Sequence, residues 1–560
     1  MKQDENKAAS YLLLAVTVLL CCFELFWFGS KVIREIDYDG MAYTGIARHL
    51  IHGQYSSSIN GFRSPLLSWI IALASLGRAD LVWVGKLINV SAFLAALALL
   101  YIFAKSLWHS QTVASVAVAL FALGRGHIVN TVTMVVPDFL FAALTLVYFI
   151  VLLRCLRQPT SKNWFYLGAV HGVAFLAKAF ALPWLGLCTF AAAALSVGGW
   201  KKKGLRLASA AIIPIVVLAA WACVLHSKYG VFTSGTQFKA NLLQWTLRPQ
   251  HPDPTYSVML DLSQTMDEYM VDDPMPPHSW PWVYRISVRQ ALPKIIQAEK
   301  RNIPMVVKEL LIVATPGAAI AFLFILGIFA PSKKRRNEHP IESITVAVIA
   351  WAAIILVGAY CMLVFDARYL YPLTALVLAV AARFLVPVDV PAGVQFGAPL
   401  GKLDHPVARK ICVALVLLGI VFSIVYPSSP FRRIKRDSQL VCYETGSLLK
   451  SHNASTIVSI GSGPFPEFGV GWEAGYKAAY FGGQRSIAAA ESLPPSTRLP
   501  ELMADIAKAG PDAIVIWGRP NDTAYTAVVS TIVSRFASTQ TKIADPDLGE
   551  VGVVLFLAHS

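Results

Sequence analysis

The feature that most constrains this chain is a succession of apolar runs about 20 residues long, each sufficient to carry a helix across a hydrocarbon core of roughly 30 Å. They read as Tyr11–Gly29, Leu81–Phe103, Thr112–Leu123 with a continuation toward Val136, Asp138–Leu153, Trp164–Ala181, Pro183–Val197, Ala208–Leu225, Glu309–Ala330, Ile341–Val364, Tyr369–Val386 and Ile411–Tyr426. Charged residues make up 14% of the sequence and hydrophobic residues 56%, whereas a soluble domain carries about 25% charged residues. The expected fold class is an α-helical polytopic membrane protein with about eleven transmembrane helices. No small-residue cleavage site follows Tyr11–Gly29, so that run reads as an uncleaved span. Ser64–Leu76 is apolar but short and Pro-started, which suits a segment lying in the membrane interface.

Loop charge orients the spans. With the N-terminus in the cytoplasm and strict alternation, the loops holding Lys105, Arg154/Arg157/Lys162, Lys201–Arg206, Lys333–Arg336 and Lys402–Lys410 all fall on the cytoplasmic side, as the positive-inside bias requires. The net charge of +15 is therefore a topology code and not a nucleic-acid signal. Arg432, Arg433, Lys435 and Arg436 follow the last span on the outside, where they suit contact with anionic membrane lipids. Seven of the eight cysteines lie in or beside apolar runs, so neither a disulfide framework nor a zinc site is expected. The expected placement is a bacterial inner or plasma membrane, crossed many times.

After the last span the character changes. Thr456–Ile460, Ala513–Trp517 and Val551–Leu557 read as strands, alternating with helical patterns over Arg498–Ala509 and Ala524–Ala537. This predicts a small α/β domain over 428–560 on the extracytoplasmic side. Residues 1–427 form the membrane domain, with a first external loop at 30–80 and a large one at 226–308. Gly461-Ser462-Gly463 lacks the spacing of a dinucleotide loop and reads as a turn.

The topology gathers the notable polar residues at one membrane face. Asp37, Asp39 and Arg63 lie in the first external loop. Asp138 opens the fourth span, preceded by Arg125 and His127. Lys178 stands near the outer end of the fifth, and Arg368 and Tyr369 open the tenth. Ionisable residues at such positions usually face an aqueous cavity and pair with one another. Together they predict a site that holds an anion and also needs a carboxylate. Each residue also has a plain structural alternative: Lys178 snorkelling to the interface, Asp138 capping a helix, Arg368 pairing with Asp366 at the surface, Asp37 simply solvated.

These residues carry a resemblance to the GT-C superfamily of membrane glycosyltransferases, in its ArnT-like and protein-mannosyltransferase-like group (glycosyltransferase family 39/83 type). Asp39 followed by Tyr43 and Ala47 is similar to the family's first-loop motif. Phe62-Arg63-Ser64-Pro65-Leu66 resembles its basic-Pro-Pro-Leu segment, and Val136-Pro137-Asp138 its Arg-Pro-Asp span start. Gly168 to Lys178 resembles its Gly-rich span, and Arg368-Tyr369-Leu370-Tyr371-Pro372 its Arg-Tyr-Leu-x-Pro segment. Lys228-Tyr229-Gly230 is a weaker echo. The resemblance covers about residues 11–427. Gly40, Phe62 and Ser64 depart from the pattern: the family usually has an acid at the first, aminoarabinose transferases have Glu at the second, and Pro is usual at the third.

The resemblance implies a glycosyltransferase that takes a sugar from a polyprenyl-phosphate donor to a lipid, glycan or protein acceptor at the outer face of the cell envelope membrane, with inversion. It implies Asp39 as general base, Asp138 as a second catalytic carboxylate, Arg63, Lys178, Arg368 and Tyr369 around the donor phosphate, and Asp37 and Tyr43 as neighbouring site residues. No cofactor is required, no metal is assigned, and no nucleic acid is a partner. The alternative is a transporter or flippase for a lipid-linked anion, using the same cations for binding alone.

Overall fold

The computed structural model describes residues 2–32, 35–77, 79–122, 124–237, 260–261, 292–293, 295–297, 300, 302–304, 340–362, 367–386, 440–461, 471–490, 493, 496–536, 538–545 and 549–557. The expected spans Glu309–Ala330 and Ile411–Tyr426, most of the large external loop and the basic run Arg432–Arg436 lie outside the described residues. In lipid, a helix is the one open structure that satisfies every backbone polar group internally, and the first half of the chain is a succession of helices. These are α1 (Lys2–Lys31), α2 (Tyr38–Ile51), α3 (Tyr55–Ser58), α4 (Leu66–Ser75), α5 (Leu81–Trp108), α6 (Gln111–Ala122), α7 (Arg125–Thr133), α8 (Asp138–Arg157), α9 (Ser161–Ala177), α10 (Ala181–Leu195) and α11 (Trp200–Tyr229). Further on come α12 (Pro340–Met362), a 3-10 turn at Ala367–Leu370 and α13 (Tyr371–Leu385).

Among the described residues, five helices are long and apolar enough to cross a membrane: α1, α5, α8, α11 and α12. A sixth span results if α6 and α7 count as one, bent by 59°. The break falls beside Gly124, the residue before α7, and small residues of this kind are usual sites of sharp helix kinks. The α9–α10 turn falls at Lys178–Phe180 rather than at Leu182-Pro183 as the sequence suggested. Pro183 sits in the first turn of α10, where its missing N–H removes no helical hydrogen bond.

Small residues bring helices close. A Cβ on Gly168 of α9 would collide with the backbone carbonyl of Ala210 on α11, and one on Gly172 would press on Ile213 and Val217. Helix ends are closed locally: Asp80 caps α5 by accepting from Val82 N at 2.8 Å and Trp83 N at 3.2 Å, and Gly230 ends α11 in the left-handed region at φ 71°. α5, α8 and α11 run from the end of the bundle near Asp138 and Tyr229 to the end carrying Lys105, Arg154/Arg157 and Lys201–Lys203.

Beyond the helices lies a six-stranded mixed sheet of β1 (Leu260–Asp261), β2 (Thr456–Ile460), β3 (Arg485–Ala490), β4 (Ala513–Trp517), β5 (Ser538–Asp545) and β6 (Gly549–Leu557), in the order β1-β3-β2-β4-β6-β5. β2 is parallel to both β3 and β4; the other pairings are antiparallel. α14 (Leu440–Ser451) and α15 (Gly471–Gly482) cover one face, α16 (Leu499–Ala509) and α17 (Thr523–Arg535) the other. Ile514 and Ile516 face one apolar layer, Ala513, Val515 and Trp517 the other, so β4 is apolar throughout. β1 lies in sequence between α11 and α12 and pairs with β3 as an edge strand of this sheet.

Candidate functional site

Five chain segments meet at one end of the helical bundle: the start of α2, the loop before α4, the start of α8, the end of α9 and the 3-10 turn before α13. Each delivers an ionisable side chain for a local reason. Asp37 is the residue before α2, in extended backbone, and its Oδ1 accepts from Val135 N at 3.0 Å instead of capping its own helix. Asp39 follows in the first helical turn, where the helix dipole favours an acid. Asn60 folds the next loop back, its Oδ1 accepting from Phe62 N at 2.8 Å and Arg63 N at 2.6 Å. Ser64 Oγ then accepts from Ala179 N at 3.0 Å, which ties this loop to the turn bearing Lys178. Lys178 ends α9, and Asp138 begins α8 after Pro137.

The charges are interlocked. Asp39 Oδ1 lies 2.8 Å from Arg63 Nη1 and its Oδ2 lies 2.7 Å from Arg368 Nη2. Arg368 also reaches Asp37 at 3.8 Å and Asp138 at 3.9 Å, so one guanidinium spans three carboxylates. Lys178 Nζ pairs with Asp138 Oδ1 and lies 4.4 Å from the centre of the Tyr369 ring. Tyr369 stacks on Tyr360 at 4.6 Å, which holds its face toward the lysine. Arg63 is 6% exposed and Asp138 3%, so these charges are largely withdrawn from water. Pairs so placed persist because removing one partner strands the other, at a cost of about 3–5 kcal/mol.

Two carboxyls respond in opposite directions. Burial alone would raise Asp39, but the guanidiniums of Arg63 and Arg368 outweigh it and hold the group down at about 2. Burial pushes Asp37 up to about 6, and the charge of Asp39 adds to this, against the smaller opposing pull of Arg368 and the Val135 N–H. Asp39 is thus a firmly ionised carboxylate and Asp37 a readily protonated one.

Asp37, Asp39, Arg63, Asp138, Lys178 and Arg368 enter this network of ion pairs, with Tyr369 packed against it, whereas Tyr43 and His127 do not. Tyr43 is buried behind Arg63, 5.9 Å from ring centre to guanidinium, with its backbone carbonyl bonded to Ser68 Oγ at 2.9 Å. His127 points elsewhere: its Nδ1 bonds Phe121 O at 2.8 Å, and its ring packs on Phe121 and Tyr371. It supports the segment after Arg368 from below. Asp366, the surface partner considered for Arg368, lies outside the described residues. Asn60 and Ser64 were not read as site residues; the Asn60-Gly61 turn signal was the available clue. Beside Arg63 a crevice opens between this loop, α9 and α11, lined by Phe62, Pro65, Phe175, Leu176 and Trp221. Tyr229 Oη accepts from Gly61 N at 3.2 Å and holds the loop against the end of α11. Among the described residues, no three His, Cys, Asp or Glu side chains are grouped to hold a metal ion.

A bundle with several helices long and apolar enough to cross a membrane, followed by an α/β unit, defines the class as a multi-pass membrane protein. Its particular architecture is the ArnT-like one. The chain is similar over 98% of its length to ArnT from Cupriavidus metallidurans bound to undecaprenyl phosphate, with a TM-score of 0.57 and 13% identity. It is similar over the same share to the apo state of that protein, with a TM-score of 0.54 and 12% identity. In both cases 98% of the ArnT chain is covered. No family model matches the sequence, and no curated protein matches it.

Proposed function

We propose that this protein is a glycosyltransferase that moves a sugar from a polyprenyl-phosphate donor to an acceptor at the outer face of the membrane, with inversion at the anomeric carbon. The observation that carries this reading is the clamp on Asp39: one carboxylate held between two guanidiniums, Arg63 and Arg368, from distant parts of the sequence. A phosphate is tetrahedral, but like a carboxylate it offers a planar guanidinium two anionic oxygens at once. When the donor phosphate takes Arg63 and Arg368, Asp39 loses the cations that suppress its basicity and becomes a competent base.

The roles follow from position. Arg63, Lys178 and Arg368 hold the donor phosphate and stabilise the charge that grows on it as the glycosidic C–O bond breaks. Asp39 removes the proton from the acceptor hydroxyl or amine as that atom attacks the anomeric carbon. Asp138 keeps Lys178 and Arg368 in place and serves as the second carboxylate. Similarity in fold to a protein crystallised with undecaprenyl phosphate supports a lipid-phosphate partner. All the cationic work in this scheme is done by side chains, and no metal or cofactor is assigned a step. The domain division proposed is 1–427 for the membrane catalytic part and 428–560 for the extracytoplasmic α/β part.

The test is to incubate purified protein with a panel of polyprenyl-phosphate sugars and identify products by mass. The expected result is sugar transfer with release of polyprenyl phosphate. A flippase or transporter would move the lipid without releasing polyprenyl phosphate, and that outcome would replace this reading.

A further inference from the structure

The C-terminal α/β unit makes a buried polar contact with the helix that carries Asp39. Tyr480, near the end of α15, is 6% exposed, and its hydroxyl donates to Thr44 Oγ1 on α2 at 2.8 Å. Thr44 is fully buried, and its own hydroxyl donates to Gly40 O at 2.8 Å, with Met41 O at 3.1 Å. Gly40 is the residue after Asp39. The Arg48 guanidinium, one turn beyond Thr44, covers the Tyr480 ring at 4.9 Å. Two hydroxyls therefore link the α/β unit to the peptide next to the Asp39 carboxylate.

Both ends of this relay are confined. A Cβ on Gly40 would lie 2.7 Å from Asp37 Oδ1 and 3.1 Å from Val135 Cβ, so the first turn of α2 is already pressed against the bundle. On the other side, α15 packs tightly on α14, where a Cβ on Gly446 would collide with the carbonyl of Ala478. β3 follows α15 directly and also pairs with β1. A shift of α15 relative to the bundle would be transmitted to the turn holding Asp39.

We propose that Tyr480 is a positioning residue: through Thr44 it sets the first turn of α2, so the α/β unit completes the site from behind. The inference rests on Asp39 being the base. Two substitutions break the relay with little change of volume, Tyr480→Phe and Thr44→Val, and Thr44→Ser keeps it. Hydrogen exchange at residues 39–44 is measured on the full chain, together with kcat and KM for the polyprenyl-phosphate sugar that the donor panel selects. Tyr480→Phe and Thr44→Val are expected to quicken exchange at residues 39–44 and lower kcat roughly tenfold, with donor KM within about twofold of wild type. Thr44→Ser is expected to restore both. Unchanged exchange at residues 39–44, or wild-type kcat in both relay variants, overturns the proposal. So does a kcat loss accompanied by faster exchange throughout β2–β4, because that marks Tyr480 as merely structural. Faster exchange at residues 39–44 in a protein whose wild type transfers no sugar supports the relay and overturns the glycosyl-transfer reading alone.

Discussion

Asp39 binds one guanidinium on each carboxylate oxygen, and this arrangement controls what the residue can do. Asp39→Asn keeps the shape but loses the base, so we expect a folded protein with at least about a hundredfold loss of transfer, read in the donor assay. Arg63→Lys keeps the charge but loses the planar fork; donor KM should rise by roughly tenfold, and an unchanged KM would remove Arg63 from the phosphate site. Asp37 carries a pH signature. Its pKa is raised from 3.8 to about 6 in the folded protein, so the folded state holds the proton more tightly than the unfolded chain. Its stabilising contribution is complete below the unfolded value and is lost as pH rises through about 6. Asp37→Asn should therefore raise Tm near pH 7 and flatten the slope of Tm between about pH 4 and 6; thermal scans of both proteins across that range decide it. The charged residues themselves were legible in the sequence, because carboxylates and guanidiniums beside apolar runs need a reason to be there. Their pairing was not: Asp39 and Arg368 stand 329 positions apart.

At the scale of elements, hydropathy marks most helices well, while the breaks depend on local chemistry. The α9–α10 turn lies at Lys178–Phe180 because Pro183 tolerates a helix start, so proline misled the boundary by a few residues. Strands β2 and β4 were visible as apolar β-branched runs, but β3 is alanine-rich and β5 is a polar edge strand with no apolar alternation. α14 and α15 escaped notice for a related reason. Much of their buried surface is small, such as Gly446, Ala474 and Ala478, and gives a weak periodic signal. Close approach also governs α9 and α11. Gly168→Val should force the two helices apart and destabilise the protein by about 1–3 kcal/mol or more, seen as a lower Tm with the other helices intact. A wild-type Tm would show that the helices separate without cost.

At the scale of the molecule, the membrane bundle and the α/β unit share one structural task, because the hydroxyls of Tyr480 and Thr44 join them across 436 positions of sequence. Trp517 is 1% exposed and its Nε1 donates to Ser459 Oγ at 3.1 Å, inside the sheet that supports α15. Trp517→Ala should cost about 3–5 kcal/mol in the α/β unit. If that unit holds α2 in place, exchange at residues 39–44 should quicken too; exchange confined to the sheet would show the two parts to be independent. Hydropathy, the length of apolar runs and the bias of loop charge are local quantities set by the bilayer. They were enough to establish a polytopic helical protein with an α/β tail and to name the acids and bases that gather at one end. Which guanidinium meets which carboxylate, and that the tail reaches back to the helix bearing Asp39, were decided by helix packing, since those contacts join residues whose nearness no local pattern encodes.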